Sequence, residues 1–213
     1  MSERVAVVVG GASGIGRAVA VGLAEQGYRV VVADRNADGA AAVAAALGGR
    51  VSSATVDVTD EDTVAALFDR AGPVDVVVNT AGFGDFGRIV DLEVERFRAL
   101  IDCCLTGAFL VMKHAGRHLR DGGSLVSITS LNARLAAPGM SAYCAAKAGL
   151  AMLTQVAALE FAPRNIRVNA VSPGFVQTPL TELVTSLTPS GRRTVNSTET
   201  SLRRFQPLSL RVR

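Results

Sequence analysis

The sequence predicts an α/β fold, a single doubly wound parallel sheet with helices on both faces. Two observations predict it. Apolar, β-branched runs of about five residues, suited to strands buried on both faces, alternate along the chain with stretches of helix formers. The first such run, Val5 to Val9, passes directly into Gly10, Gly14 and Gly16 and then into a helix ending near Gly27, the opening unit of a sheet built by right-handed crossovers.

The elements follow in turn. A second strand, Arg29 to Ala33, ends at Asp34, and a helix is expected over Ala37 to Leu47. A third strand, Val51 to Val56, ends at Asp57, and Thr59-Asp60-Glu61-Asp62 has the form of a capping box opening a helix to Ala71. Pro73 stops that helix, and Val74 to Val78 makes the fourth strand, ending in Asn79-Thr80-Ala81-Gly82. The glycine-rich loop Phe83 to Arg88 is expected to be mobile, and one long helix is expected from about Glu93 to His118. A fifth strand, Leu125 to Ile128, leads to Ser130, and Ser141 stands as a capping-type serine before the helix SAYCAAKAGLAMLTQVAALEF. The sixth strand, Arg167 to Val171, exits into Ser172-Pro173-Gly174. Gly10, Asp34, Asp57, Asn79, Ser130 and Pro173 therefore all fall at carboxyl ends of strands, where open α/β sheets bind ligands.

Composition bounds the function. With 213 residues, 49% of them apolar, the chain suits one domain with a substantial core. No uninterrupted apolar run reaches the roughly 18 to 20 residues of a membrane span, and the start MSERVAVVVGG lacks the pattern of a secretory leader. A cytoplasmic protein without a membrane partner is expected. Cys103, Cys104 and Cys144 show no metal-ligand spacing and are expected to be free thiols. Residues 179–213 carry six Arg against two Glu, so the net charge of +3 is a property of the tail; the preceding residues sum to −1, and no nucleic-acid partner is expected.

Several residues carry chemistry. Glycines between a strand and a helix start let a pyrophosphate approach outward-pointing amides, although glycines at this spacing also serve tight helix packing. Asp34, twenty residues after Gly14, is placed to accept from ribose hydroxyls and to repel a 2′-phosphate, which favours NAD; the neighbouring Arg35 keeps NADP open, and a turn-capping role fits Asp34 equally. Tyr143 and Lys147 are four apart on one helix face, where an ammonium favours the phenolate and makes the phenol usable as an acid or base. Taken alone, such a pair is more often a lysine beside a packed ring. Ser130 brings a hydroxyl to the same place. His114 and His118 share a helix face at metal-ligand spacing, but no third ligand accompanies them and no metal is expected.

Together these residues resemble the short-chain dehydrogenase/reductase family. The matching pieces are Gly10-Gly11-Ala12-Ser13-Gly14-Ile15-Gly16, Asp34, Asp57-Val58, Asn79-Thr80-Ala81-Gly82, Ser130, Tyr143-Cys144-Ala145-Ala146-Lys147 and Pro173-Gly174 with Thr178. The resemblance implies a Rossmann-type domain over residues 1–178 that moves a hydride between NAD(P)(H) and an alcohol or carbonyl substrate. Tyr143 would exchange the proton, Ser130 would hold the substrate oxygen, and Lys147 would bind the nicotinamide ribose. By the same resemblance Asp57 and Val58 would contact adenine, Asn79 and Ala81 the adenine-side or central ribose region, and Val176 and Thr178 the carboxamide and phosphates, with Gly82, Pro173 and Gly174 also binding the cofactor.

Three departures from the family stand out. Val9 replaces a customary threonine before the first glycine. Cys104 occupies the place of an asparagine that helps hold a water in the family's proton relay, and a thiol cannot reproduce an amide. After Thr178, the 35 residues of the tail include eleven Ser or Thr and six Arg, and the family's usual last strand is expected to be missing. Leu208 to Arg213 alternates as an edge strand would. An uncovered sixth strand invites association, so a homo-oligomer is expected. Cys104 and the short tail leave a second reading open, a cofactor-binding or oligomer-forming relative with little catalysis.

Overall fold

A computed structural model describes residues 3–178 and gives one six-stranded parallel sheet in the order β3-β2-β1-β4-β5-β6. The strands are β1 Val5–Val9, β2 Arg29–Asp34, β3 Val51–Thr55, β4 Val74–Asn79, β5 Leu119–Ile128 and β6 Arg167–Val171. The helices between them are α1 Gly14–Glu25, α2 Ala37–Leu47, α3 Glu61–Ala71, α4 Val94–Ile101, α5 Gly107–His118 and α6 Ser141–Phe161. The order reverses between β1 and β4, and that switch point opens a crevice beyond the strand ends.

The unbroken apolar runs are explained by burial on both faces. Along β1, Val5, Val7 and Val9 point into a core with Leu67 and Phe68 of α3, Val111 of α5 and Leu150 of α6. Ala6 and Val8 point the other way, against Ala20 of α1 and Ala40 and Val43 of α2. The period of two thus sends alternate residues of one apolar run into two different layers.

Local differences from the sequence reading have physical causes. The capping box does not form: Asp60, not Thr59, caps α3 and accepts from the Asp62 amide at 3.0 Å. Thr59 is drawn back to Asp57, whose Oδ1 accepts from the Thr59 amide at 2.9 Å and its hydroxyl at 2.7 Å. Met140 is the N-cap residue of α6, and Ser141 already lies inside the helix. The long fourth helical stretch is interrupted by a π-helical segment, Asp102–Thr106. β5 begins at Leu119 instead of Leu125, because Leu119 pairs with Val74 and the register shifts before Val76. The loop expected to be mobile is tied at two points: the Gly87 amide donates to the Gly139 carbonyl at 2.9 Å, and Asp85 pairs with Arg96.

By length and mean hydropathy, two helical stretches, Val94–His118 and Ser141–Arg164, could cross a membrane, although charged residues interrupt both. Their apolar character has a local use, since Val111, Ala115, Leu150 and Ala157 lie in the core against the sheet. The expectations for residues 179–213, including a missing last strand and an edge strand over Leu208 to Arg213, lie outside the described residues.

Two glycines of α1 make a paired test of packing. A Cβ on Gly16 would collide with the Gly10 carbonyl and sit 2.6 Å from the Thr80 hydroxyl, whereas one on Gly22 would meet nothing within 4 Å. Gly16→Ala should destabilise the protein by about 1–3 kcal/mol through overpacking. Gly22→Ala should stabilise it by about 0.4–1 kcal/mol by restricting the unfolded chain. Urea unfolding midpoints moving in opposite directions check both.

Candidate active site

A cleft of about 670 Å3 opens over the carboxyl ends of the strands. Gly10, Ser13, Gly14, Ile15 and Gly16 line one end. Gly10 adopts φ +81°, a left-handed conformation open to glycine, so that β1 can turn into α1. No side chain caps α1: Ser13 makes no capping hydrogen bond and the first turn holds no acid. The outward amides of that turn and the bare surface of the glycines form a cradle for an anion.

Thr80, which the sequence reading quoted within a motif but gave no role, holds this turn to β4. Its hydroxyl lies 2.8 Å from the Val9 carbonyl and 3.0 Å from that of Gly10. The readable signal was a hydroxyl residue opposite Val9, the position where a family threonine is missing. Asp34 and Arg35 stand at the same end of the cleft. The Asp34 carboxylate is fixed by backbone amides, accepting from Ala12 and from Asn36 at 3.0 Å each. The turn-forming and ligand-facing readings of Asp34 are therefore compatible. Asp57 and Val58 form part of the wall; the Thr59 amide, then its hydroxyl, hold the Asp57 carboxyl below its ordinary range.

Ala81 and Gly82 also line the cleft, but Asn79 does not. Its side chain is buried, and Oδ1 accepts from the Ala81 amide at 3.1 Å, which shapes the loop leaving β4.

Ser130, Tyr143 and Lys147 meet at the other end, with Pro173, Gly174, Val176 and Thr178 beside them. The loops leaving β5 and β6 are joined: the Thr129 hydroxyl donates to the Val171 carbonyl at 2.9 Å, and the Leu131 amide donates to Pro173 at 3.0 Å. Ser130 Oγ accepts from the Asn132 amide at 3.1 Å, and Ser130 and Tyr143 line the cleft together. Lys147 is only 4% exposed, its Nζ donates to the Ile128 carbonyl at 2.9 Å, and it lies 5.7 Å from the centre of the Tyr143 ring.

These contacts correct one expectation. Lys147 does not dominate the tyrosine's acidity: burial pushes the Tyr143 phenol above its ordinary pKa, and the opposing hydrogen bond comes from Ser130. The lysine is itself held below its ordinary pKa by burial. The desolvation of both groups outweighs the pairing that helix spacing suggests.

Cys104 is buried on the π-helical segment, and its Sγ lies 3.6 Å from the Phe83 carbonyl. The histidines do not form a pair. His114 Nε2 lies 3.0 Å from Glu61, and His118 Nε2 lies 3.2 Å from Asp69, so both serve the packing of α5 on α3. Among the described residues no cluster of three potential metal ligands occurs.

Comparison with known proteins gives this geometry a family. The model described as enoyl-(acyl carrier protein) reductase, adh_short_C2, matches residues 10–205. Over 189 residues the chain is 48% identical to cis-4-hydroxycyclohexanecarboxylate dehydrogenase of Sinomonas cyclohexanicum, covering 84% of this chain and 76% of that protein. It is 36% identical over 191 residues to the 3-oxoacyl-(acyl-carrier-protein) reductase FabG of Thermotoga maritima, covering 85% of this chain and 78% of that one. A solved short-chain type dehydrogenase/reductase from Mycobacterium ulcerans superposes with a TM-score of 0.82 at 33% identity, over 88% of this chain and 74% of its own. With glycine turn, strand order and relatives in agreement, the chain belongs to the short-chain dehydrogenase/reductase family of NAD(P)-dependent oxidoreductases.

Proposed function

We propose that the chain interconverts a secondary alcohol and its ketone at the expense of NAD(H), with Tyr143 as the acid/base. The observation that carries this reading is the meeting of Ser130, Tyr143 and Lys147 at one end of a cleft whose other end is an uncapped helix start behind a glycine turn. A cleft of about 670 Å3 lies in the range of cofactor sites, and the cradle at Gly10 to Gly16 suits a diphosphate. Bound dinucleotide supplies or accepts the hydride.

The residues divide the remaining work. Tyr143 delivers a proton to the substrate oxygen in reduction and removes it in oxidation. The Ser130 hydroxyl, beside the phenol on the cleft wall, orients the reacting oxygen. Lys147 holds a positive charge beneath the site and offers donors to a ribose. Asp34 presents a fixed carboxylate to the adenosine ribose, which favours NAD over NADP; Arg35 at the same end makes NADP the second choice. The 48% identity to a hydroxycyclohexanecarboxylate dehydrogenase makes a ring-borne secondary alcohol with a carboxylate the first substrate to test. We also propose a cytoplasmic homo-oligomer, since α6 exposes Met152, Val156 and Leu159 together.

A second reading, a dinucleotide-binding relative with weak turnover, is favoured among the described residues by Cys104. The two readings separate in one experiment. NADH should bind both the native protein and Tyr143→Phe, seen by fluorescence titration, while oxidation of cis-4-hydroxycyclohexanecarboxylate or a panel of related alcohols should fall about 10²–10⁴-fold in the variant. Binding without turnover by the native protein against the whole panel would establish the second reading.

Cys104→Asn should raise kcat if the relay water needs a side-chain amide; an unchanged or lower rate would show that the thiol suffices. The phenol can be followed directly, because the chain has two tyrosines and no tryptophan. Alkaline difference spectra should show the Tyr143 transition above the ordinary value of about 10, absent in Tyr143→Phe. A transition near neutrality in the protein alone would contradict the burial argument.

A further inference from the structure

The loop leaving β4 carries a clamp that takes no part in the proton and hydride steps proposed above. Asp85 stands in that loop, and Arg96 lies eleven residues later in the first turn of α4. The guanidinium meets both oxygens of the carboxylate: Nε donates to Asp85 Oδ2 at 2.8 Å, and Nη2 donates to Oδ1. Nη2 also donates to the Phe86 carbonyl at 3.1 Å, and the Phe86 amide donates to Asp85 Oδ1 at 2.7 Å. One guanidinium therefore grips a side chain and the adjoining backbone together. A two-oxygen fork has a fixed direction that a single-contact surface ion pair lacks.

The clamp sits two residues from the cleft wall. Phe83 lines the cleft, and it packs with Tyr143 against one small apolar cluster of Leu100, Cys104, Ala142 and Ala146. Leu100 stands one turn beyond Arg96 on α4, so the same helix carries the cluster under Phe83 and the guanidinium that holds the loop. Gly82, Gly84 and Gly87 would otherwise leave this backbone wide conformational freedom. A wall free to move distinguishes poorly between guests that differ by one methylene, because that discrimination comes from close packing.

We propose that Arg96 is a positioning residue for substrate selection: by clamping Asp85 and Phe86 it fixes Phe83 as a wall beside Tyr143, and so sets from α4 which ring size of secondary alcohol the cleft accepts, a role that rests on the secondary-alcohol reading of the site. The guanidinium acts through the loop, not on the reacting atoms. Its loss should therefore weaken and blur alcohol binding while sparing the chemical step and the dinucleotide.

The test uses the full-length protein, a series of cyclic secondary alcohols of increasing ring size, and four variants: Arg96→Met, Arg96→Lys, Asp85→Asn and the double variant Asp85→Asn/Arg96→Met. Arg96→Met should raise KM for the preferred alcohol at least about fivefold, with kcat and NADH affinity each within about twofold of native. Its preference for that ring over the next size should shrink at least about threefold. Arg96→Lys, which keeps the charge but not the fork, should fall between native and Arg96→Met. The double variant should be no worse than the poorer single one, because both remove the same clamp. In the protein without ligand, amide hydrogen exchange over residues 83–88 should quicken about tenfold in Arg96→Met, while that of β1 and β4 stays as in the native chain. Unchanged KM and ring preference overturn the role in selection, as does a loss of NADH affinity equal to the rise in KM. Unchanged exchange over residues 83–88, or additive losses in the double variant, overturn the clamp. Should Arg96→Met fail to fold, Arg96→Lys decides by the same readings. If the native protein oxidises none of the alcohols, the secondary-alcohol reading and the role in selection fall together, and the exchange measurement still decides the clamp.

Discussion

A single ammonium, that of Lys147, is buried to 4% exposure where α6 meets the tip of β5. Among the described residues no carboxylate pairs with Lys147; its Nζ donates to the Ile128 carbonyl at 2.9 Å. A cation out of water without a counter-ion costs several kcal/mol after relaxation. The environment answers in two ways, by lowering the lysine's affinity for its proton and by gathering groups that gain from a positive neighbour. Tyr143, Cys104 and the bare backbone at Gly82 all crowd around that charge.

The sheet exists to hold that arrangement. β1 and β4 part at the switch point, and the Thr80 hydroxyl closes the gap by reaching the carbonyls of Val9 and Gly10. The Thr129 and Leu131 contacts with the β6 exit fix the serine loop relative to β6. The active-site side chains thus hang from strand ends that are bonded to one another, which is how a loop-built site keeps its geometry.

Much of this was legible in the residues. Continuous valine runs give buried parallel strands, and the period of two that splits Val7 from Val8 needs no further information. The position of the strand exits, and with it the placement of Asp34 and Ser130 along one edge of the sheet, follows from those runs. What the sequence hides is competition. Thr59 could cap a helix or serve Asp57, and only the closeness of the carboxylate decides. Lys147 could favour a phenolate or sit beside a ring whose burial acts the other way; helical spacing gives proximity but not dielectric. The π-helical segment leaves no mark on periodicity because its extra residue is absorbed within one turn, and the pairing of Leu119 with Val74 requires knowing where the neighbouring strand begins.

The tie between Gly87 and the Gly139–Met140 turn joins the loop leaving β4, whose Phe83 lines the cleft, to the segment between Ser130 and Tyr143, which line it too. A gate with both posts on one crossbar does not widen on one side alone. Adaptation of this scaffold to a bulkier guest therefore proceeds through coordinated replacements in both segments, and a swap confined to either one strains the crossbar before it enlarges the doorway.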